Sequence, residues 1–329
     1  MRPTFSIIFF TVISGAGYGL LMIVGFGIAI GSFVSIDRFP AGDIVLPFPP
    51  ARLALAGTLS LGAVFSAAGL LASLAHLGKP QRAWRALSQW RTSWLSREGV
   101  AALLTFLPIA AILVLLFSHQ GASVPQLPLR LCGLLLVLCC TATVVCTANI
   151  YASLKPIRAW NDPLVPVIYL SFAVYSGCLW LTSLATLGLP DPYWTSLVLP
   201  NALLIAPGCA WLKWIYWRSI VGQPGNAGAG AATGLDRLGS VRSFEQPHTE
   251  ENYLTHEMGF VLARKHSRTL RAFALWSILL APISWLPLAW LGGGSIAWLS
   301  LALGLLGVFV ERWLFFAEAR HAVMAYYGR

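Results

Sequence analysis

Between residues 72 and 98 the chain reads ASLAHLGKPQRAWRALSQWRTSWLSRE, which gathers His76, Lys79, Arg82, Arg85, Arg91, Arg97 and Glu98 into one short span. Only 10% of the whole chain is charged, so this density is unusual. An imidazole can donate or accept a proton near neutral pH. A carboxylate can relay one when its surroundings bring it close to neutrality. His76 and Glu98 therefore form a candidate proton-handling pair, with Arg82 as a fixed hydrogen-bond donor and Gly78 letting backbone come close to whatever binds. A second group lies near the end of the chain: Glu311 and Arg312, then Glu318, Arg320 and His321. The plain alternative is that the basic residues, Arg91 and Arg97 above all, are charge anchors, and that Glu311–Arg312 is an internal ion pair.

The elements that must position these groups are set by composition. The chain has 329 residues, 57% of them hydrophobic, and a mean hydropathy of +0.72. A soluble domain is nearer half apolar and about a quarter charged. The sequence thus predicts an all-α integral membrane protein with eight transmembrane helices, at roughly residues 6–33, 51–75, 99–117, 131–151, 164–187, 194–215, 273–291 and 296–316. The apolar start of the chain is too long for a signal peptide and is read as a retained first helix. Eight crossings leave Arg38, Arg52 and Arg130 on one side and the other nineteen Lys and Arg on the other or at its helix ends. The positive-inside rule then places both termini, the 76–98 connection and the SLKPIRAWND connection in the cytoplasm. No charged residue is expected in mid-span.

The chain reads as a single membrane domain over 1–329, interrupted by a cytoplasmic connection at 216–272. Its first part, VGQPGNAGAGAATG, is a flexible Gly/Ala-rich linker. Residues 249–271 are expected to form an interfacial helix, acidic early (Glu250, Glu251, Glu257) and basic late (Arg264, Lys265, Arg268, Arg271), beside anionic lipid or a soluble subunit. The glycines and small residues of the first helix, from Ser14 to Gly31, suit close helix packing, with room for a ligand tail as the alternative.

Composition also excludes several classes. The net charge of +10 is spread over loops without a basic, aromatic-interleaved run, so nucleic acid is not a partner. The six cysteines lie in apolar segments and form no C-x-x-C pair, so neither an iron–sulfur cluster nor a metal site is expected within the chain. No two histidines share the apolar spans, which argues against haem. A secondary transporter would fit eight helices, yet no inverted repeat is evident. A quinone remains the carrier whose needs match: donors for two carbonyl oxygens, an apolar groove for ring and tail, and groups that supply protons as electrons arrive.

The run SLAHLGKPQRAWRALSQWRTSWLSREG resembles the H-L-G-x-P-x-R-A connection of the dimethyl sulfoxide reductase membrane anchor family, and the ending GVFVERWLFFAEARHAV is similar to it as well. That resemblance implies a quinone-binding anchor, for ubiquinone or menaquinone, holding a ferredoxin-like iron–sulfur subunit that is paired with a molybdopterin catalytic subunit. It gives His76 and Glu98 a part in quinol handling. The long inner connection and the cytoplasmic placing of the motif resemble the branch serving cytoplasmic sulfite-oxidising complexes, in which electrons pass to quinone in the inner membrane. The chain alone would then have no activity on a sulfur compound. The alternatives are a quinol-oxidising anchor of a sulfoxide reductase and a transporter.

Overall fold

The computed structural model describes residues 4–31, 43–45, 49–74, 79–118, 123–187, 192–221, 230, 233–239, 241, 244–245, 266–285 and 294–322. His76 and Gly78 lie outside them, as do the Gly/Ala-rich residues 222–229 and residues 249–265 of the expected interfacial helix.

Among the described residues, eight helices carry the fold: α1 Phe5–Ile30, α2 Pro49–Leu74, α3 Trp94–Ser118, α4 Gln126–Ala152, α5 Leu164–Ala185, α6 Pro192–Val221, α7 Ser267–Ile283 and α8 Gly294–Ala317. Six of them (α1 to α5 and α8) are long and apolar enough to cross a membrane. α6 bears Lys213 and Arg218 within its last turns, and α7 has 17 residues. At about 1.5 Å per residue α7 spans roughly 25 Å, short of a hydrocarbon core of about 30 Å.

Apolar on nearly every face, α1 is the central post and packs against α2, α4, α5 and α8. Its small residues do most of this work. A Cβ on Gly19 would collide with the carbonyl oxygen of Ala173, so α1 and α5 touch backbone to backbone at a place where only glycine fits. A Cβ on Gly17 would likewise come within 2.7 Å of the Ser66 amide nitrogen of α2. The packing reading of this stripe therefore holds, with one exception: nothing lies within 4 Å of a Cβ built on Gly15. α1 ends at Gly31, whose φ of 77° turns the chain out of the helix.

Most neighbouring helices run antiparallel: Gly25 of α1 against Gly133 of α4, Ser183 of α5 hydrogen-bonded to the carbonyl of Ala297 in α8, and Gly307 of α8 against Ser277 of α7; α1 and α5 run parallel. The bundle thus has two unlike ends. One carries Arg52, Arg130 and a short antiparallel pair of strands, β1 Asp43–Val45 with β2 Ser123–Pro125. At the other lie Lys79, Arg82, Arg85, Arg91, Arg97, Lys155, Arg158, Arg218, Arg268, Arg271 and Arg320.

The basic end is built in two layers. A 3-10 helix at Pro80–Gln89 buries none of its residues and lies on the start of α3, where Ser96 donates to the carbonyl of Ala86 and Arg97 donates to those of Trp90 and Arg91. The 153–163 connection, in contrast, is stitched into the bundle. Ile157 pairs with His321 and the amide of Ala322 donates to the carbonyl of Pro156. Trp160 donates through Nε1 to the Phe315 carbonyl, and Tyr216 donates to that of Ala159. Asp162 accepts from the Leu164 amide and from Ser219, which ties the start of α5 to the end of α6.

Candidate functional site

Helix boundaries decide where the candidate carboxylates sit. α3 begins at Trp94, five residues earlier than hydropathy alone suggests, because a helix continues through charged residues that its own first turns can carry. Glu98 is therefore inside the helix, four residues or about 6 Å along its axis. It is 4% exposed. Its Oε1 accepts from the Thr147 hydroxyl of α4 at 2.5 Å. Thr147 has one proton and a second acceptor in reach, the Thr143 carbonyl at 3.0 Å. An ionised Glu98 holds that proton on the carboxylate side. A protonated Glu98 can instead donate to Thr147 Oγ1, which then turns to Thr143. The pair can thus gain or lose a proton without moving backbone.

A second buried carboxylate sits on α8. Glu311 is fully buried and lies between two cations: Lys213 Nζ of α6 at 2.5 Å from Oε1, and Arg312 Nε donating to Oε2 at 2.6 Å. The cations are faced with aromatic rings. Lys213 Nζ is 4.0 Å from the Tyr216 ring centre and within 5.5 Å of those of Trp217 and Phe315, while the Arg312 guanidinium is 4.0 Å from the Tyr169 ring centre. Ring faces stabilise desolvated cations by about 2 kcal/mol or more each. Two cations against one anion still leave an excess positive charge in the interior, and Nη1 and Nη2 of Arg312 have no hydrogen-bond partner among the described residues.

A narrow pocket opens beside that guanidinium, between α1, α4, α5 and α8, lined by Ser14, Gly15, Tyr18, Thr147, Tyr169 and Arg312 among others. Its volume is about 20 Å³. Thr147 belongs both to its wall and to the Glu98 hydrogen bond, so the two buried carboxylates are joined by one short polar path.

Of the sequence-chosen residues, the fold puts Arg312 in the pocket wall with Glu311 bonded behind it, and Glu98 behind another wall residue, Thr147. Arg82 stands apart, exposed on the 3-10 helix. His76 and Gly78 lie outside the described residues. Sequence reasoning misses three participants. Lys213 reads as an anchor at a helix end, whereas α6 runs on to Val221 and leaves it eight residues inside. Its position in the apolar run CAWLKWIYW is the available signal. These buried charges lie within eight residues of the basic ends of their helices and not in mid-span. Thr147 and Tyr18 give no signal, because a hydroxyl on an apolar helix acquires meaning only from its neighbours.

This is the architecture of a membrane anchor subunit: apolar helices around a central post, a basic end and ionisable groups buried just inside it. A family model for the DMSO reductase anchor subunit (DmsC) matches residues 1–317, and the chain belongs to that family. It is 30% identical, over 340 residues covering 99% of both chains, to a sulfite dehydrogenase subunit of Allochromatium vinosum. No solved structure matches it. As an anchor of this family the protein is a membrane subunit of a multi-subunit oxidoreductase. Among the described residues no group of His, Cys, Asp and Glu could hold a metal ion.

Proposed function

We propose that the chain is the quinone-binding anchor of a molybdopterin oxidoreductase complex and passes electrons from an iron–sulfur subunit to quinone during sulfite oxidation. The observation that carries this reading is Glu98, a buried carboxylate with one hydroxyl partner, set just inside the end that also bears the 79–97 connection. The likeness to a sulfite dehydrogenase subunit along the full length supports the direction of electron flow.

The donor set fits a quinone. Its carbonyl oxygens need donors, which His76 and Arg82 supply. Glu98 relays protons through Thr147, and Gly78 gives the ring access to backbone. The bound quinone would supply the two-electron acceptor. Its ring belongs against the connection and the mouth of α3, since the inner pocket of about 20 Å³ is far too small for it. In this reading all eight helices cross the inner membrane, the short α7 with local thinning of the bilayer, the basic end faces the cytoplasm, and the iron–sulfur and molybdopterin subunits dock there, with the connection between α6 and α7 as part of the docking face. Glu311 and Arg312 hold α8 in register beside the site. The family description favours a second reading, a quinol-oxidising anchor with the reverse electron flow.

A quinone-analogue inhibitor tests the site: it should bind the wild-type complex and lose binding in His76→Ala. Equal binding to both would remove His76 from it. Sulfite- and sulfoxide-dependent quinone redox change, measured in membranes holding the whole complex, decides the direction. A reporter placed in the 79–93 connection that reads out on the far side of the bilayer would overturn the orientation.

A further inference from the structure

The pocket beside Arg312 is too small for a carrier, and a buried guanidinium and several hydroxyl-bearing residues stand in its largely apolar lining. Arg312 is 2% exposed, yet Nη1 and Nη2 have no partner among the described residues. The Tyr169 hydroxyl lies within reach of the guanidinium, but loosely enough that it and both Nη atoms lack a well-aligned partner among the described residues. The Tyr18 hydroxyl, also in the pocket lining, is likewise buried without a partner among the described residues. Thr147 presents its hydroxyl from α4, and Ser14 and Ser176 add two more side-chain oxygens to the lining. Gly15 leaves the floor open. A buried water needs about 10–15 Å³ and two to four polar partners. The pocket offers about 20 Å³ and more than that number of groups.

We propose that this pocket is a built water site, holding one or two ordered waters that join Arg312 to Thr147 and through it to Glu98. The guanidinium supplies donors that have no well-aligned acceptor among the described residues, and water oxygen is the acceptor that fits the space. The link also gives Glu98 an interior source of protons, a role that rests on the quinone reading above. When Glu98 has given up its proton, the Thr147 O–H proton shifts to Glu98 Oε1 and a proton from pocket water replaces it on Thr147 Oγ1. The hydroxide left is held against Arg312 and becomes water again with the next proton from solvent. One proton enters for each that leaves, and no charge accumulates.

Four buried tyrosines supply the test. Tyr18 and Tyr169 line the pocket. Tyr175 and Tyr216 do not, and their hydroxyls are committed to the carbonyls of Ile278 and Ala159. Exposure does not separate the sets, at 2% and 7% against 0% and 2%. Radiolytic hydroxyl-radical labelling, in which water held beside a side chain is split in place, is applied to the full chain with its partner subunits in lipid nanodiscs. Tyr18 and Tyr169 should be labelled while Tyr175 and Tyr216 stay unmodified. Gly15→Val adds a Cβ that meets nothing within 4 Å and extends two methyls into the floor, and it should abolish labelling at Tyr18 and Tyr169 in a folded protein. Silence at Tyr18 and Tyr169 in the wild type overturns the water site, and so does labelling that persists in folded Gly15→Val. The wild-type result decides alone if the variant does not fold. Labelling is read without any quinone, so a quinone site disproved by the His76→Ala binding experiment leaves this result standing.

Discussion

Glu98 and Glu311 are both buried carboxylates near the same end of one bundle, and they live in opposite circumstances. Glu311 is clamped by Lys213 at 2.5 Å and Arg312 at 2.6 Å, and its charge is needed to keep two interior cations tolerable. Among the described residues Glu98 has a single hydroxyl for company. A buried charge with full compensation is committed to structure, because changing its protonation would strand its partners. A buried carboxylate with one adaptable neighbour can change its protonation at small structural cost. The contrast suits Glu311 to holding and leaves Glu98 free for the proton handling proposed above.

The largest effect should come from Glu311→Leu. It strands Lys213 and Arg312, and breaking a buried pair by removing one partner costs about 3–5 kcal/mol. The expected result is little or no folded protein after detergent extraction, read by size-exclusion chromatography and thermal denaturation. Glu98→Gln should do the reverse: a normally folded anchor whose complex loses roughly 10²–10⁴-fold in sulfite-driven quinone reduction, the scale of a lost proton-transfer group. A Glu98→Gln protein that will not fold, beside a Glu311→Leu protein that does, would invert the comparison.

Thr147→Val sharpens it further. Removing the one hydrogen bond to the Glu98 carboxyl should cost about 1.5–3 kcal/mol of stability if that bond is made to a charged group. Turnover should fall while quinone-analogue binding holds. The smallest effect is expected at Arg271, which grips Glu318 with two hydrogen bonds of 2.9 Å but whose side chain is 21% exposed. Arg271→Gln should cost about 1 kcal/mol or less, screened further by salt, and leave turnover unchanged. A loss as large as that of Glu311→Leu would mean that the rim of the bundle, and not its interior cluster, holds α7 and α8 together.

Much of this is legible in the amino-acid sequence. Apolar runs of 20 or more residues announce membrane helices, and H-L-G-x-P-x-R-A carries the family. Glu98, Glu311 and Arg312 stand out because charge in apolar surroundings is rare. The misses have one physical origin. Hydropathy places a helix end where apolar character stops, whereas the backbone continues until a cap or a turn ends it. Hence α3 starts five residues early, which turns Glu98 from a loop group into a buried one, and α6 runs six residues past the expected end, which draws Lys213 inward. The pocket is invisible for another reason. It is assembled from single positions on α1, α4, α5 and α8, and no pattern along one helix encodes which hydroxyls will face each other.

The seam between the 153–163 connection and residues 315–322 limits how the protein can be handled. The last turn of α8 and the residues just after it act as a latch: Phe315 and Pro156 receive hydrogen bonds from Trp160 and Ala322, and His321 pairs with Ile157. A purification handle spliced in ahead of position 322 would unfasten the floor beneath the ionisable groups, whereas one appended at Arg329 leaves that latch shut.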